Sequence, residues 1–485
     1  MKTFRILAWI LTLTVVLSAC GTAQRADGIT EILLSNEEIK VEGAGNAVSV
    51  ANDIVYYEAG RDFTYGEGTE ADAHSAEEAA AHRVVHITKP GIYSLQGTLS
   101  RGQIAVDLGE DAKEDPNAVV TLILNGADIT CEVAPAVIFY NVYECGSADT
   151  ENASKDVDTS TAGANVIIAD GTVNQVNGSY VARIYQPDTV VLNEEGTEVE
   201  DAKKLHKYDA AFYSRMSMNV NGGEDGSGVL NIRAENEGLD SELHLTVNGG
   251  TVNITSGNDG INTNEDGVSV TTVNGGTLNI EVTGETGEGD GIDSNGWLVI
   301  NGGTVLAAAC SHSADAGIDS DMGIHINGGT VFATGHMLDR IEDGGQTYAV
   351  FNFGEKQLGG EPVSMKNEAG EEVLSLSPQN DYSVLIFSSP DLKAGTYTLW
   401  SGEQQLQGQS GGHGMMMPGG MEPPEKPEPP EGMELPERPE PPMEGMEPPQ
   451  KPDFKFPEEE KTGNLTTEFA ISNGENMFAR ISPAE

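Results

Sequence analysis

Asn-Gly-Gly recurs at Asn221, Asn248, Asn274, Asn301 and Asn327, so successive copies lie 27, 26, 27 and 26 residues apart. An interval this constant is a structural period: one supersecondary unit is repeated, and it buries its apolar side by stacking on its neighbours. Alternating stretches follow the last four copies, as in Thr251-Val252-Asn253-Ile254, Thr277-Leu278-Asn279-Ile280, Thr304-Val305-Leu306-Ala307 and Thr330-Val331-Phe332-Ala333. Alternation with β-branched residues predicts half-buried strands, and Asn-Gly supplies the positive backbone torsions of a tight corner. A helical solenoid is thereby excluded, and the expectation is an all-β solenoid in which each repeat is one coil of a parallel β-helix.

A second column carries charge. Gly238-Leu239-Asp240-Ser241, Gly260-Ile261-Asn262-Thr263, Gly291-Ile292-Asp293-Ser294 and Gly317-Ile318-Asp319-Ser320 share one pattern. Alternation places Leu239, Ile261, Ile292 and Ile318 inside and the acids outside. Stacked coils bring equivalent residues to about 4.8 Å, where two carboxylates repel by about 3.5 kcal/mol at an effective dielectric of 20. Glu237, Asp259, Asp290, Asp315 and Asp321 lie close by. Hard oxygens gathered in this way suit Ca²⁺, so Glu237, Asp240, Asp259, Asp290, Asp293, Asp315, Asp319 and Asp321 are the candidate ligands. The alternative is a set of solvated corners with no ion. Asn262 and Ala316 interrupt the acidic columns and argue against one uniform ladder of ions. Gly287–Asp293 imitates a calcium nonapeptide without its nine-residue period, and Asp319–Gly323 imitates an EF-hand opening without its glutamate.

The ends of the chain differ from this repeat. Lys2 and Arg5 precede an apolar run, Ile6 to Val16, too short for a permanent span and shaped like a secretory signal. It ends in Leu17-Ser18-Ala19-Cys20, which resembles the lipobox of bacterial lipoproteins, with Cys20 as the lipidated residue; the alternative is an ordinary cleaved signal. The expected organisation is a signal peptide over 1–19, a lipidated tether over 20–28, the β-helix over 29–410, a Pro/Glu/Met-rich segment over 411–461, and returning strands over 462–485. Between residues 421 and 460 fall 13 of the 22 prolines and 13 acids, a composition that builds no core. The stretches 61–82 and 147–164 are polar or Ala-rich and interrupt the coils as loops. Cys131 and Cys145 flank a strand-like stretch and leave a disulfide open, while thiols so scattered resemble no zinc site.

The run from Tyr208 to Gly335, with Asp209-Ala210-Ala211-Phe212-Tyr213-Ser214-Arg215, Glu237-Gly238-Leu239-Asp240-Ser241 and the repeated Asn-Gly-Gly-Thr, resembles the bacterial carbohydrate-binding domain-containing proteins. Lys89–Leu99, Gly102-Gln103-Ile104, Leu122–Gly126 and Tyr382–Leu392 extend the resemblance over most of residues 29 to 405. It implies a right-handed, single-stranded parallel β-helix like that of pectate lyases, bound Ca²⁺, and affinity for plant-type polysaccharides, including cellulose and uronic-acid-containing glycans.

Two classes of function follow, with a third beside them. With 26 Lys plus Arg against 77 Asp plus Glu, the formal charge is -51, and nucleic acid is an unfavourable partner. A lyase needs a cation-assisted base, yet between Met216 and His336 Arg233 stands alone against 17 acids. Non-catalytic, calcium-dependent polysaccharide binding needs only outward Asn, Thr, Ser and Asp, with Trp297 as the candidate stacking residue. Trp297 as plain core, and the solenoid as a cell-surface spacer or adhesin, are the readings set against it. The expectation is a binder, tethered to the membrane only by lipid on Cys20.

Overall fold

The computed structural model describes residues 28–205, 208–411 and 465–484. The signal peptide, Cys20 and nearly all of the 411–461 segment lie outside the described residues. The period seen in sequence is a pairing register. Each repeat folds as three strands, and each strand pairs in parallel with its counterpart one repeat later. The first strands are Ala210–Ser214, Glu237–Ser241, Ile261–Thr263 and Ile292–Ser294. The second are Ala164–Ile168, Met218–Gly222, His244–Val247, Val270–Val273, Trp297–Ile300 and Gly323–Ile326. The third are Val173–Gly178, Val229–Ala234, Thr251–Ser256, Thr277–Val282, Thr304–Ala308 and Thr330–Gly335.

Register decides the core. Leu230, Val252, Leu278, Val305 and Val331 form one inward column, and Leu239, Ile261 and Ile292 another, continued by Ile318, all with no exposed surface. Buried hydroxyls turn the inner corner: Thr263 bonds Ser294 at 2.8 Å and Thr271 at 3.1 Å, while Ser294 donates to the Trp297 carbonyl at 3.0 Å. At the last four Asn-Gly-Gly corners the second glycine, not the asparagine, takes the positive torsion, with φ of 82°, 82°, 80° and 83° at Gly250, Gly276, Gly303 and Gly329. A Cβ at Gly276 would also lie 2.5 Å from the Gly250 carbonyl oxygen, so the turn and the coil stacking both require glycine.

The parallel pattern does not run to residue 410. Thr330–Gly335 pairs antiparallel with Tyr382–Ser388, and residues 348–410 with 469–483 build a largely antiparallel layer over a second core containing Phe351, Phe387, Phe469 and Phe478. The reason lies in the side chains: Leu306 and Phe332 replace the outward amides of Asn253 and Asn279, giving that layer an apolar surface to cover. Cys131, Cys145 and Cys310 are free thiols, the first and last buried.

Ile292 lies in register with Ile261, away from all solvent. Ile292→Asp should cost at least about 3 kcal/mol, because it buries an unpaired charge between coils. Chemical denaturation should show that loss; an unchanged midpoint would remove the inward assignment.

Candidate functional site

The outward face of the second strands is a polar groove of about 620 Å³. Its floor is a column of residues in direct register: Asn165, Asn219, Thr246, Thr272 and Val299. One flank is built by the repeat itself. Asn327 Nδ2 donates to Asn301 Oδ1 at 2.8 Å, Asn301 to Asn274, Asn274 to Asn248 and Asn248 to Asn221, each at 2.9 Å, and Asn221 to the Val166 carbonyl at 3.2 Å. Asn248, Asn274, Asn301 and Asn327 are exposed. An amide has two donors and two acceptor lone pairs, so each rung from Asn221 to Asn301 spends one of each on the ladder and keeps one of each for a ligand. Five rungs at about 4.8 Å span roughly 19 Å.

The other flank is the loop from Lys155 to Ser160. Thr159 pins it: its Oγ1 lies 2.7 Å from both Asn219 Oδ1 and Thr246 Oγ1, and its carbonyl accepts from Asn219 Nδ2 at 2.8 Å. At the open end Lys155 Nζ meets Asp156 Oδ1 at 2.6 Å, an exposed pair worth little in stability. His325 continues the floor column beyond Val299. Burial, then the nearby Lys155 charge, lowers its pKa, so its imidazole is neutral at pH 7. Apart from Lys155, Asp156 and Asp158, the groove is lined by uncharged side chains.

Trp297 shares the face of Val299 but stands two residues before it, half-buried in the column of His244 and Val270, and is not part of the groove lining. Tyr208, Tyr213 and Phe332 are buried, so none offers a stacking surface.

The acidic columns occupy a different face. Asp240, Asn262 and Asp293 are in register, as expected, but outward does not mean solvated: Asp240, Glu237 and Asn262 are almost fully buried. Asn264 Nδ2 donates to Asp240 Oδ1 at 2.6 Å, and Asn262 Nδ2 to Glu237 Oε1 at 3.1 Å. Asp259 Oδ1 accepts from the Asp290 backbone at 2.7 Å, and Asp290 Oδ1 from the Ala316 backbone at 2.5 Å. Asp315 Oδ2 accepts from the Gly289 backbone at 2.6 Å, and Asp321 is exposed. Burial and then neighbouring carboxylates push Asp319 up to about 7, Asp259 to about 8 and Asp290 to about 10. The oxygens suit a hard cation in type, and Asn262 Oδ1 is buried with no hydrogen-bond partner. They form no ready cage, however: among the described residues, no three His, Cys, Asp or Glu side chains converge on a metal position.

In the sequence the repeated asparagines read as corner formers and the 147–164 loop as an interruption. The missed signal is present in the strands: two residues before each asparagine the alternation leaves Asn219, Thr246 and Thr272 pointing the same way. The loop's path over later coils, which delivers Lys155, has no local signature.

The chain is similar to known proteins. A carbohydrate-binding domain-containing protein of Acetivibrio thermocellus is 28% identical over 178 residues, 36% of this chain and 46% of that protein, so the chain spans less than half of that relative's length. The solved structure of the polysaccharide lyase-like protein from C. thermocellum, a gadolinium derivative, covers 62% of this chain and 89% of its own at 19% identity, with a TM-score of 0.38. The family model described as carbohydrate-binding domain-containing protein matches residues 81–197 and 150–343. These matches together cover more than half of the 485 residues, and the chain belongs to the family of carbohydrate-binding domain-containing proteins.

Proposed function

We propose that the chain binds a polysaccharide laid along the groove, about one sugar per coil, without cleaving it. The asparagine ladder carries this reading: it repeats one donor and one acceptor at a spacing close to the length of a pyranose unit, on a floor already fixed by the fold. The scarcity of charge in the lining favours a neutral, cellulose-like chain over a uronate polymer, which would approach a protein of formal charge -51. The reading also includes a right-handed winding of the coils as a parallel β-helix, and tethering outside the cell membrane through lipid on Cys20. On this reading Cys20→Ser moves the protein from the membrane fraction to the medium, and a variant that stays membrane-bound removes the anchor.

Lyase chemistry is the second reading, and Lys155 is the observation that favours it, since the loop brings a basic group to a groove whose strands supply none but His325. Its pairing with Asp156 argues against it as a free base. Asn274→Ala and Asn301→Ala should each weaken retention on immobilised cellulose about tenfold by breaking the ladder at an exposed rung, with little change in melting temperature. Polygalacturonate incubated with protein and Ca²⁺ should develop no ultraviolet absorbance from unsaturated product. Wild-type retention by both variants would overturn the groove reading, and absorbance abolished by Lys155→Ala would replace binding with lyase activity.

Calcium belongs to the same proposal. Glu237, Asp240, Asp259, Asp290, Asp293, Asp315, Asp319 and Asp321 are the groups that would supply its oxygens, relieving the repulsion of buried carboxylates. Because the folded pKa values of Asp319, Asp259 and Asp290 are raised, the folded state holds more protons than the unfolded one. In chelator, their stabilising contribution is full below about pH 4 and is lost as pH rises through 7 to 10. The gain in melting temperature on adding Ca²⁺ should therefore be larger at pH 8 than at pH 5. Equal melting curves with Ca²⁺ and with chelator at pH 8 would remove the metal.

A further inference from the structure

A second cavity, of about 500 Å³, lies in the loop between Tyr57 and Ala73 and shares no residue with the groove. Phe63 lines it and is 48% exposed, whereas every other described phenylalanine is buried. A single exposed apolar residue is ordinary; this one sits beside a cavity in a loop that the fold holds rigid. Tyr57 donates to the Gly68 carbonyl at 3.0 Å, and its ring centroid lies 5.0 Å from that of Tyr65. The backbone is tied by Tyr185 N to Tyr65 O and Glu67 N to Arg183 O, both at 2.8 Å, and by His74 N to Tyr57 O at 2.9 Å. Arg61 lies 4.4 Å above the Tyr65 ring and pairs with Glu58 at 3.0 Å, so a guanidinium and a carboxylate stand at the cavity wall.

We infer that this loop is a second sugar-binding site, in which a pyranose stacks on Phe63 and directs its hydroxyls to Arg61, Glu58 and Glu70. The chemistry selects the ligand class. A sugar ring has an apolar C–H face for the aromatic ring and vicinal hydroxyls for the planar, bidentate charged groups. Glu58, Asp62 and Glu70 against Arg61 disfavour an anionic ligand, whether a uronate or the acidic, proline-rich segment of this same chain. The inference takes its ligand class from the carbohydrate reading of the groove and adds a second point of attachment. Two sites on one chain strengthen capture of a polymer through effective concentration.

The test is capture of the intact protein on an array of immobilised cellulose-type glycans, comparing Phe63→Ala, Asn274→Ala and the double variant. Phe63→Ala removes an exposed ring and should keep the wild-type melting temperature. It should weaken capture about tenfold, and the double variant should weaken it about a hundredfold, as two linked sites require. If Phe63→Ala matches the wild type while Asn274→Ala is weakened, the second site is overturned and the groove stands. If only Phe63→Ala is weakened, the groove reading fails instead. If the intact protein captures no glycan, both fall.

Discussion

In-register stacking at about 4.8 Å is the constraint from which the other features follow, because it turns each outward residue into a column of itself. A column of amides is favourable: every Asn-to-Asn bond from Asn221 to Asn327 is 2.8 to 2.9 Å, and aligned bonds polarise one another. A column of carboxylates is the opposite case, since like charges at that distance repel and burial removes the water that would screen them. The protein holds both on one scaffold. The amide column borders an open groove, whereas the acidic column is shielded by Asn262 and Asn264, with Asp290 held far above the usual carboxylate range.

Stacked coils also expose two open ends, which a solenoid must close to avoid pairing with other copies. At one end Lys40–Glu42 lies antiparallel on Ile29–Leu34, and Val48–Ala51 on Arg83–Ile87. At the other the antiparallel layer and its phenylalanine core lie against Thr330–Gly335. With both ends closed, variation is free to enter between strands. The groove wall at Lys155–Ser160 and the Phe63 loop are such insertions, fixed by a few bonds to the coils or to one another.

The all-β, parallel stacking of the repeats was legible in sequence because it rests on short-range regularities. The 26 to 27 residue interval marked the corners, and the apolar position of each Gly-Leu/Ile-Asp unit marked the core, where Leu239, Ile261 and Ile292 now stack. What remained hidden depends on contacts between residues far apart. Thr159 reaches Asn219 and Thr246 across 60 and 87 residues, and no local pattern announces that path. Burial of Asp240 and Glu237 was hidden for a similar reason: alternation reports which side of a strand a residue takes, not what lies over that side. The end of the parallel region is an intermediate case, since the change from Asn279 to Leu306 and Phe332 was visible, but its meaning required the layer that covers it.

Distribution of charge gives the last physical reason for reading the groove as a binder. A chain with 77 acids keeps copies of itself and other polyanions apart, whereas a neutral sugar polymer meets no such repulsion. The groove carries few charges: its floor and ladder are amide, hydroxyl and one valine, and its charged groups, Lys155, Asp156 and Asp158, are confined to the loop flank. Catalysis would call for an uncompensated base or a developing-charge stabiliser at one rung, making that rung unlike its neighbours. The ladder rungs from Asn221 to Asn327 are alike, so on the proposed reading a polymer would meet the same amide chemistry along that flank at each step.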